Sequence, residues 1–345
     1  MKTFSEFAFQ IVNHFLKLSE NNVISISAEI RNSENSIDPL SEIDLAEELA
    51  LEIRKKRAFP FLDISTENLK RRFFNEMPES VFSQTPEYYL KWIDSINTFI
   101  EISWKNIAEN FYSESFQNKL QMQKSTHFIW QKIVEQNKNI VFLNFPSREL
   151  AEFLNIDYEH LKQVYLKAAT CNYNRLRIEG LNLKEQYLHH QDFVIRSHKD
   201  ELYIRTDSQH PELFSDNSEN HQIYVLPTGF LGIQLNRKKI NGFYFAEQLY
   251  YDRKIHHHVK IHFDAGYVRF ISFPEENENT EICRNAILNS KEECFLMIGF
   301  NPELTERTGF LLYDRCLQGN ISISLTDANQ KKIVLSNCKV RIEKS

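Results

Sequence analysis

The chain has 345 residues, of which 42% are hydrophobic and 26% charged, and a net charge of −6. That is enough apolar material for two cores, and the near balance of charge leaves no basic field to hold a phosphate backbone, which argues against nucleic-acid binding. No run reaches the roughly 18 apolar residues of a membrane span. The opening Met1-Lys2-Thr3-Phe4-Ser5-Glu6 has no unbroken apolar core, since Glu6, Gln10, Asn13 and His14 interrupt it. The expectation is a cytoplasmic protein without a membrane partner. The five cysteines (Cys171, Cys283, Cys294, Cys316, Cys338) are scattered, with no C-x-x-C pair, and fit reduced, buried thiols.

Taken in chain order, the first half alternates helical and extended patterns. Phe7, Ile11, Phe15 and Leu18 share one helical face over residues 4–18. Val23 to Ala28 reads as a short buried strand. Asp44 to Lys56 is helical, with Leu45, Leu49, Leu51 and Ile53 near a 3.6 period and basic residues in its last turns, where they suit the helix dipole. Phe59 to Asp63 is a second strand. A further helix and strand run from Pro86 through Ile102, and another pair from Lys119 to Asn144. Such repeated units predict a mostly parallel sheet with helices on its faces. Only eight glycines occur and none precedes Gly180, so a P-loop or G-x-G-x-x-G fingerprint is excluded from this half.

After helices around 147–154 and 158–170, strands dominate from about Asp192. Glu201 to Arg205 alternates, as do Ile255 to Phe263 and Val268 to Ile271, which are joined by the turn-forming Asp264-Ala265-Gly266 in a hairpin pattern. Phe310 to Tyr313, Ile321 to Leu325 and Ile333 to Leu335 are predicted to continue the strands, and the polar run 208–222 a surface loop. The reading is an α/β N-terminal domain over residues 1–190, followed by a strand-rich α+β C-terminal domain over 191–345.

Three segments carry a family resemblance. The first is Leu143-Asn144-Phe145-Pro146-Ser147-Arg148-Glu149-Leu150-Ala151, with the following helix through Ala168-Ala169-Thr170-Cys171. The second is Asp200-Glu201-Leu202-Tyr203-Ile204, followed by Val225-Leu226-Pro227-Thr228-Gly229-Phe230. The third is Tyr313-Asp314-Arg315-Cys316-Leu317-Gln318-Gly319-Asn320 with Ile321 to Leu325. In order and spacing the chain resembles the aminopeptidase T family of two-metal aminopeptidases. The resemblance implies an aminopeptidase T-like fold and, from the habits of the family, a homodimer.

The departures from the family pattern carry the functional expectation. Relatives hold two divalent metals through carboxylates and imidazoles. Here the acidic pair after Pro-Thr is replaced by Gly229 and Phe230, the next glutamate falls at Met297, and a histidine falls at Ser324. A C-terminal His-x-Asp pair is expected to be missing, as in a second domain truncated at its C-terminus. The resemblance therefore implies a pseudoenzyme with no cofactor and no catalytic residue. Its vestigial cleft (Thr228, Gly229, Phe230, Met297, Tyr313, Asp314 and Ser324) would bind peptide. Related proteins in gene clusters for ribosomally made, modified peptides imply as partners a precursor peptide and a peptide-modifying enzyme.

Histidines supply the alternative. His256, His258 and His262 fall on one face of an alternating strand, the first two about 7 Å apart. They are read either as a solvated strand face or, with Asp252 or Asp264, as a rearranged metal site of an active aminopeptidase or a single-metal dioxygenase-like enzyme. No cysteine has an obvious base beside it, and Ser324 lacks a G-x-S-x-G elbow.

Overall fold

The structure is a computed structural model that describes residues 3–16, 18–30, 41–82, 84, 87–103, 128–188, 192–197, 200–205, 211–215, 223–252, 254–291, 293–329 and 331–344. The chain forms two compact units, one comprising Met1–Thr170 and Asn217–Pro227, the other Cys171–Asp216 and Thr228–Ser345. Among the described residues, no helix is long and apolar enough to cross a membrane.

The first unit is built on β1 (Val23–Ile30), β2 (Phe59–Thr66), β3 (Thr98–Ser103), β4 (Asn139–Phe145) and β8 (Ile223–Val225). All neighbours pair in parallel, in the order β2-β1-β3-β4-β8. The sequence pattern identifies the first four of these strands. β1, β3 and β4 have buried apolar centres, such as Ile24 and Ile26 or Val141 and Leu143, whereas edge strand β2 leaves Phe59, Phe61, Leu62 and Ile64 exposed; each of the four is preceded by a helix. The helix Ser41–Lys55 buries Leu45, Leu49 and Ile53 against β1 and β2, while Arg54 and Lys55 close its last turn. Ile93, Ile96, Phe99, Ile133 and Ile140 form a core cluster beneath β3 and β4. The helix predicted from residue 119 is described only from residue 128; 119–127 lie outside the described residues.

The second unit carries an eleven-stranded antiparallel sheet. Its strands are β5 (Asp192–Ser197), β6 (Asp200–Arg205), β7 (Glu212–Phe214), β9 (Phe230–Asn236), β10 (Ile240–Tyr251), β11 (Lys254–Asp264), β12 (Tyr267–Ser272), β13 (Glu293–Gly299), β14 (Ile321–Thr326), β15 (Lys332–Asn337) and β16 (Arg341–Lys344). The main order is β16-β5-β6-β10-β15-β14-β13-β9-β7, with β11 paired to β10 and β12 to β11. The predicted hairpin is present: β11 and β12 pair across a turn in which Ala265 has φ 46° and Gly266 φ 79°, the left-handed values a tight hairpin needs. Along β14 every residue is buried, as expected of a central strand covered on both faces.

Three expectations are corrected. The units divide after Thr170 and not near residue 190, because the helix Tyr173–Leu188 packs on β7 and β9 of the second sheet. The run 208–222 is not simply a loop, because Glu212–Phe214 pairs with β9. The chain then returns at Ile223–Val225 to add a fifth strand to the first sheet. Phe310 to Tyr313 is not a strand. Leu311–Asp314 forms one helical turn after extended Phe310, because the Asp314 carboxylate accepts hydrogen bonds from Thr308 and Gly309 and folds the segment back on itself.

Candidate functional site

The residues singled out by sequence all lie in the second unit, or at its start at Thr228, and the fold gathers them along two lines. The first line is the Thr228-Gly229-Phe230 segment entering β9. Thr228 Oγ1 and the Gly229 amide both donate to the Phe214 carbonyl, each at 2.8 Å. Asn301 Nδ2 donates to the Thr228 carbonyl at 2.7 Å, and the Phe300 amide to the Gly229 carbonyl at 2.8 Å. Gly229 sits at φ +113°, and a Cβ there would lie 2.9 Å from the Asn301 Cβ. The position therefore takes glycine for two reasons: conformation and close approach. Phe230 stacks on Phe214, with centroids 4.4 Å apart and rings within 9° of parallel.

The second line is a row across five neighbouring strands. Gly232 on β9 pairs with Met297 on β13, Met297 with Ser322 on β14, Ser322 with Ser336 on β15, and Ser336 with Gln248 on β10. Ser324 lies one pleat along, paired with Phe295 and Val334. Cross-strand partners share a sheet face, so Met297 and Ser324 are on the same side. Met297 is half-buried and Ser324 is buried.

Asp314 and Tyr313 have different settings. Tyr313 is fully buried and meets Phe310 edge to face at 4.8 Å. Asp314 is buried and accepts from the Thr308 amide and Oγ1 at 2.8 Å, the Gly309 amide at 3.0 Å and the Tyr250 hydroxyl at 2.8 Å. Burial pushes its carboxyl above the usual carboxylate range, against the pull of those donors. With four donors of its own chain satisfying it, Asp314 ties the 308–314 turn to β10. Beside it, Arg307 donates to Gln248 at 2.7 Å, to Asn320 at 3.1 Å and to Ser336 at 3.3 Å, and pairs with Glu247 at 3.2 Å. Asn320 donates in turn to Ser322 at 3.0 Å, and Ser336 to Asn320 at 2.9 Å. The serine row is thereby joined to a polar network that sequence reading did not anticipate, because its members are far apart in the chain.

Sequence reading also passed over Arg315. Its guanidinium lies 4.6 Å from the centroid of Phe230, on the Phe230–Phe214 stack. The Nε and Nη2 atoms are buried and have no hydrogen-bond partner. Burial lowers its pKa, opposed by the neighbouring Cys316 thiol. The one signal in sequence was an arginine between Asp314 and Cys316 inside an otherwise apolar stretch.

The histidines are not brought together. His262 stacks on Phe243 at 4.2 Å, His258 on Phe245 at 6.0 Å, and His256 meets Phe273 edge on at 5.3 Å. His258 has φ +55°, yet the β10–β11 register is the same on either side of it, so the three keep one parity along the strand while each ring packs on a different phenyl group. Among the described residues, no group of three or more His, Cys, Asp and Glu side chains is placed to hold a metal ion. Gly229, Phe230, Met297 and Ser324, which the sequence resemblance set at ligand places, are a glycine with no room for a side chain, a phenyl ring, a thioether and a hydroxyl. Borderline divalent cations need carboxylate, imidazole or thiolate donors, so these residues do not fit a two-metal centre.

Taken together, a parallel α/β unit and a strand-rich antiparallel unit of this order define an aminopeptidase T-like fold. The particular similarity is to wild-type AmpT, the aminopeptidase T from Thermus thermophilus, with a TM-score of 0.65, 11% sequence identity, and coverage of 95% of this chain and 86% of that one. No protein-family model matches the chain, and no curated protein matches it in sequence. The likeness corrects the expectation of a protein that is not an enzyme: the scaffold matched is that of a peptidase, and nothing in the match indicates that activity has been lost.

Proposed function

We propose that the protein binds peptides on an aminopeptidase T-like scaffold, with Thr228, Gly229, Phe230, Met297 and Ser324 in or beside the binding surface. The observation that carries this reading is the fold likeness to an aminopeptidase over nearly the whole chain. An extended peptide suits such a scaffold, because main-chain hydrogen bonds give affinity and side-chain pockets give selectivity. Half-buried Phe214, stacked on buried Phe230, and half-buried Met297 supply apolar contact area at low entropic cost. In this reading the peptide is a precursor delivered to a peptide-modifying enzyme, and the protein works as a homodimer.

The scaffold likeness equally favours a second reading, hydrolysis of the bound peptide, and one experiment addresses both. Pooled peptides are passed over the immobilised full-length protein, and the eluate is analysed by mass spectrometry with and without added zinc, manganese or cobalt. Retention of peptides on the protein is the expected result. Release of N-terminal residues would establish hydrolysis. A folded protein that neither retains nor cleaves any peptide would overturn the proposal.

A further inference from the structure

We propose that Arg315 is a carboxylate-recognising residue, its free Nε–Nη2 edge receiving the two oxygens of a ligand carboxylate on the flank of the Phe230–Phe214 stack. The inference rests on the peptide-binding reading and names the ligand group it would select.

The first argument is the pattern of satisfaction. A buried guanidinium normally has its donors paired, because stranding a desolvated charge is costly. Here the two unpaired atoms, Nε and Nη2, form one edge of the planar fork. That edge matches the spacing of carboxylate oxygens and forms two parallel hydrogen bonds with them. Random loss of partners would not select one complete recognition edge.

The second argument is what surrounds that edge. The side chain that acts on Arg315 is the Cys316 thiol, through a hydrogen bond and its charge, and burial raises that thiol to about 11; Nε and Nη2 themselves have no partner. The neighbouring Asp314 is turned away and occupied by Thr308, Gly309 and Tyr250. The Phe230 face under the guanidinium holds its plane fixed, as cation–π stacking does, so less rotamer freedom is lost on binding. The arginine as a whole is half-buried, while Nε and Nη2 are buried.

The third argument is chain geometry. Arg315 directly follows the one-turn helix Leu311–Asp314. The Cys316 carbonyl accepts from the Asn301 amide at 2.9 Å, and Asn301 holds the Thr228 carbonyl. The backbone that presents Arg315 is thus tied to the segment that presents Phe230.

The shared ligand chemistry has two sources, a peptide's terminal carboxylate or an Asp or Glu side chain. Full-length protein labelled with 15N-arginine is titrated with N-acetyl-phenylalanine and separately with its amide, and the Arg315 Nε–Hε signal is assigned by its absence in R315K. A saturable shift with the acid and none with the amide is expected. No shift with the acid, or equal shifts with both, overturns the assignment.

A second measurement separates this site from the peptide reading. Randomised peptide pools are made with free or amidated C-termini, each with and without Asp and Glu, and retained on wild type, R315M and R315K. The acid-to-amide retention ratio is expected to fall about tenfold in both variants, the loss of one charged bidentate contact. R315M is expected to melt no lower than wild type, since an unpaired buried charge is removed. If all pools bind wild type equally, the carboxylate site falls while peptide binding stands. If no pool binds but N-acetyl-phenylalanine shifts the Arg315 signal, peptide binding falls while the carboxylate site stands.

Discussion

Asn301 Nδ2 donates to the main-chain carbonyl of Thr228 at 2.7 Å, and both residues are buried. This one bond joins the end of β13 to the start of β9, so the turn that carries Gly229 cannot move independently of the segment leading to Arg315. It also explains why the local backbone admits no side chain at Gly229.

Gly229→Ala is therefore expected to destabilise the second unit by about 1–3 kcal/mol, since it combines a left-handed backbone with a Cβ pressed against Asn301. Gly229→Glu, with its larger side chain, should be worse still. Equilibrium urea denaturation of both variants checks this; a Gly229→Glu protein as stable as wild type would refute it.

How far these features could be read from sequence depends on the range of the interaction. The four parallel strands from Val23 to Phe145 were legible because each is a short apolar run next to a helix of clear period. β7 and β8 were not, because three-residue strands in a polar stretch leave no periodic signal. The Phe310 to Tyr313 run misled because four apolar residues fit a helical turn as well as a strand, and the Asp314 bonds decided it. The His-x-His alternation was legible and the β11 register keeps it, but which ring each imidazole packs on is set by the neighbouring strands. The network around Arg307 depends on pairings between β10, β14 and β15 that no local pattern encodes.

That network makes Arg307→Ala costly. It strips Glu247, Gln248, Asn320 and Ser336 of a shared donor within a largely desolvated site. A loss of about 3 kcal/mol is expected, with Lys339 still holding Glu247 at 2.8 Å. A double-mutant cycle with Glu247→Gln should show coupling; strict additivity would mean that the ion pair contributes nothing.

The thiols give a pH-dependent readout. Burial pushes Cys171, Cys283 and Cys294 up to about 12 and Cys316 to about 11. All four should stay protonated and unlabelled by iodoacetamide in the native state, with no acceleration from pH 7 to about pH 9. Half-buried Cys338 should label first. Mass spectrometry of digested, labelled protein measures the order.

His256 should titrate below the ordinary imidazole value of about 6.5, because burial first, and then Lys254 and His257, disfavour its charged form. Its folded value is lowered, so its contribution to stability is fully present above the unfolded value and is lost as the pH falls through that value towards the folded one. An NMR titration giving a midpoint at or above the free value would contradict this, and His256→Gln should flatten that part of the stability profile.

The two compact units are interleaved along the chain, with 217–227 returning to the first after 171–216 have begun the second. During synthesis the parallel sheet would have to wait for its last strand until about fifty residues of the other unit had already left the ribosome. A fragment cut at residue 190 would lack that strand and leave β4 with an open edge, so independent expression of either half calls for rejoining noncontiguous segments, not a single cut.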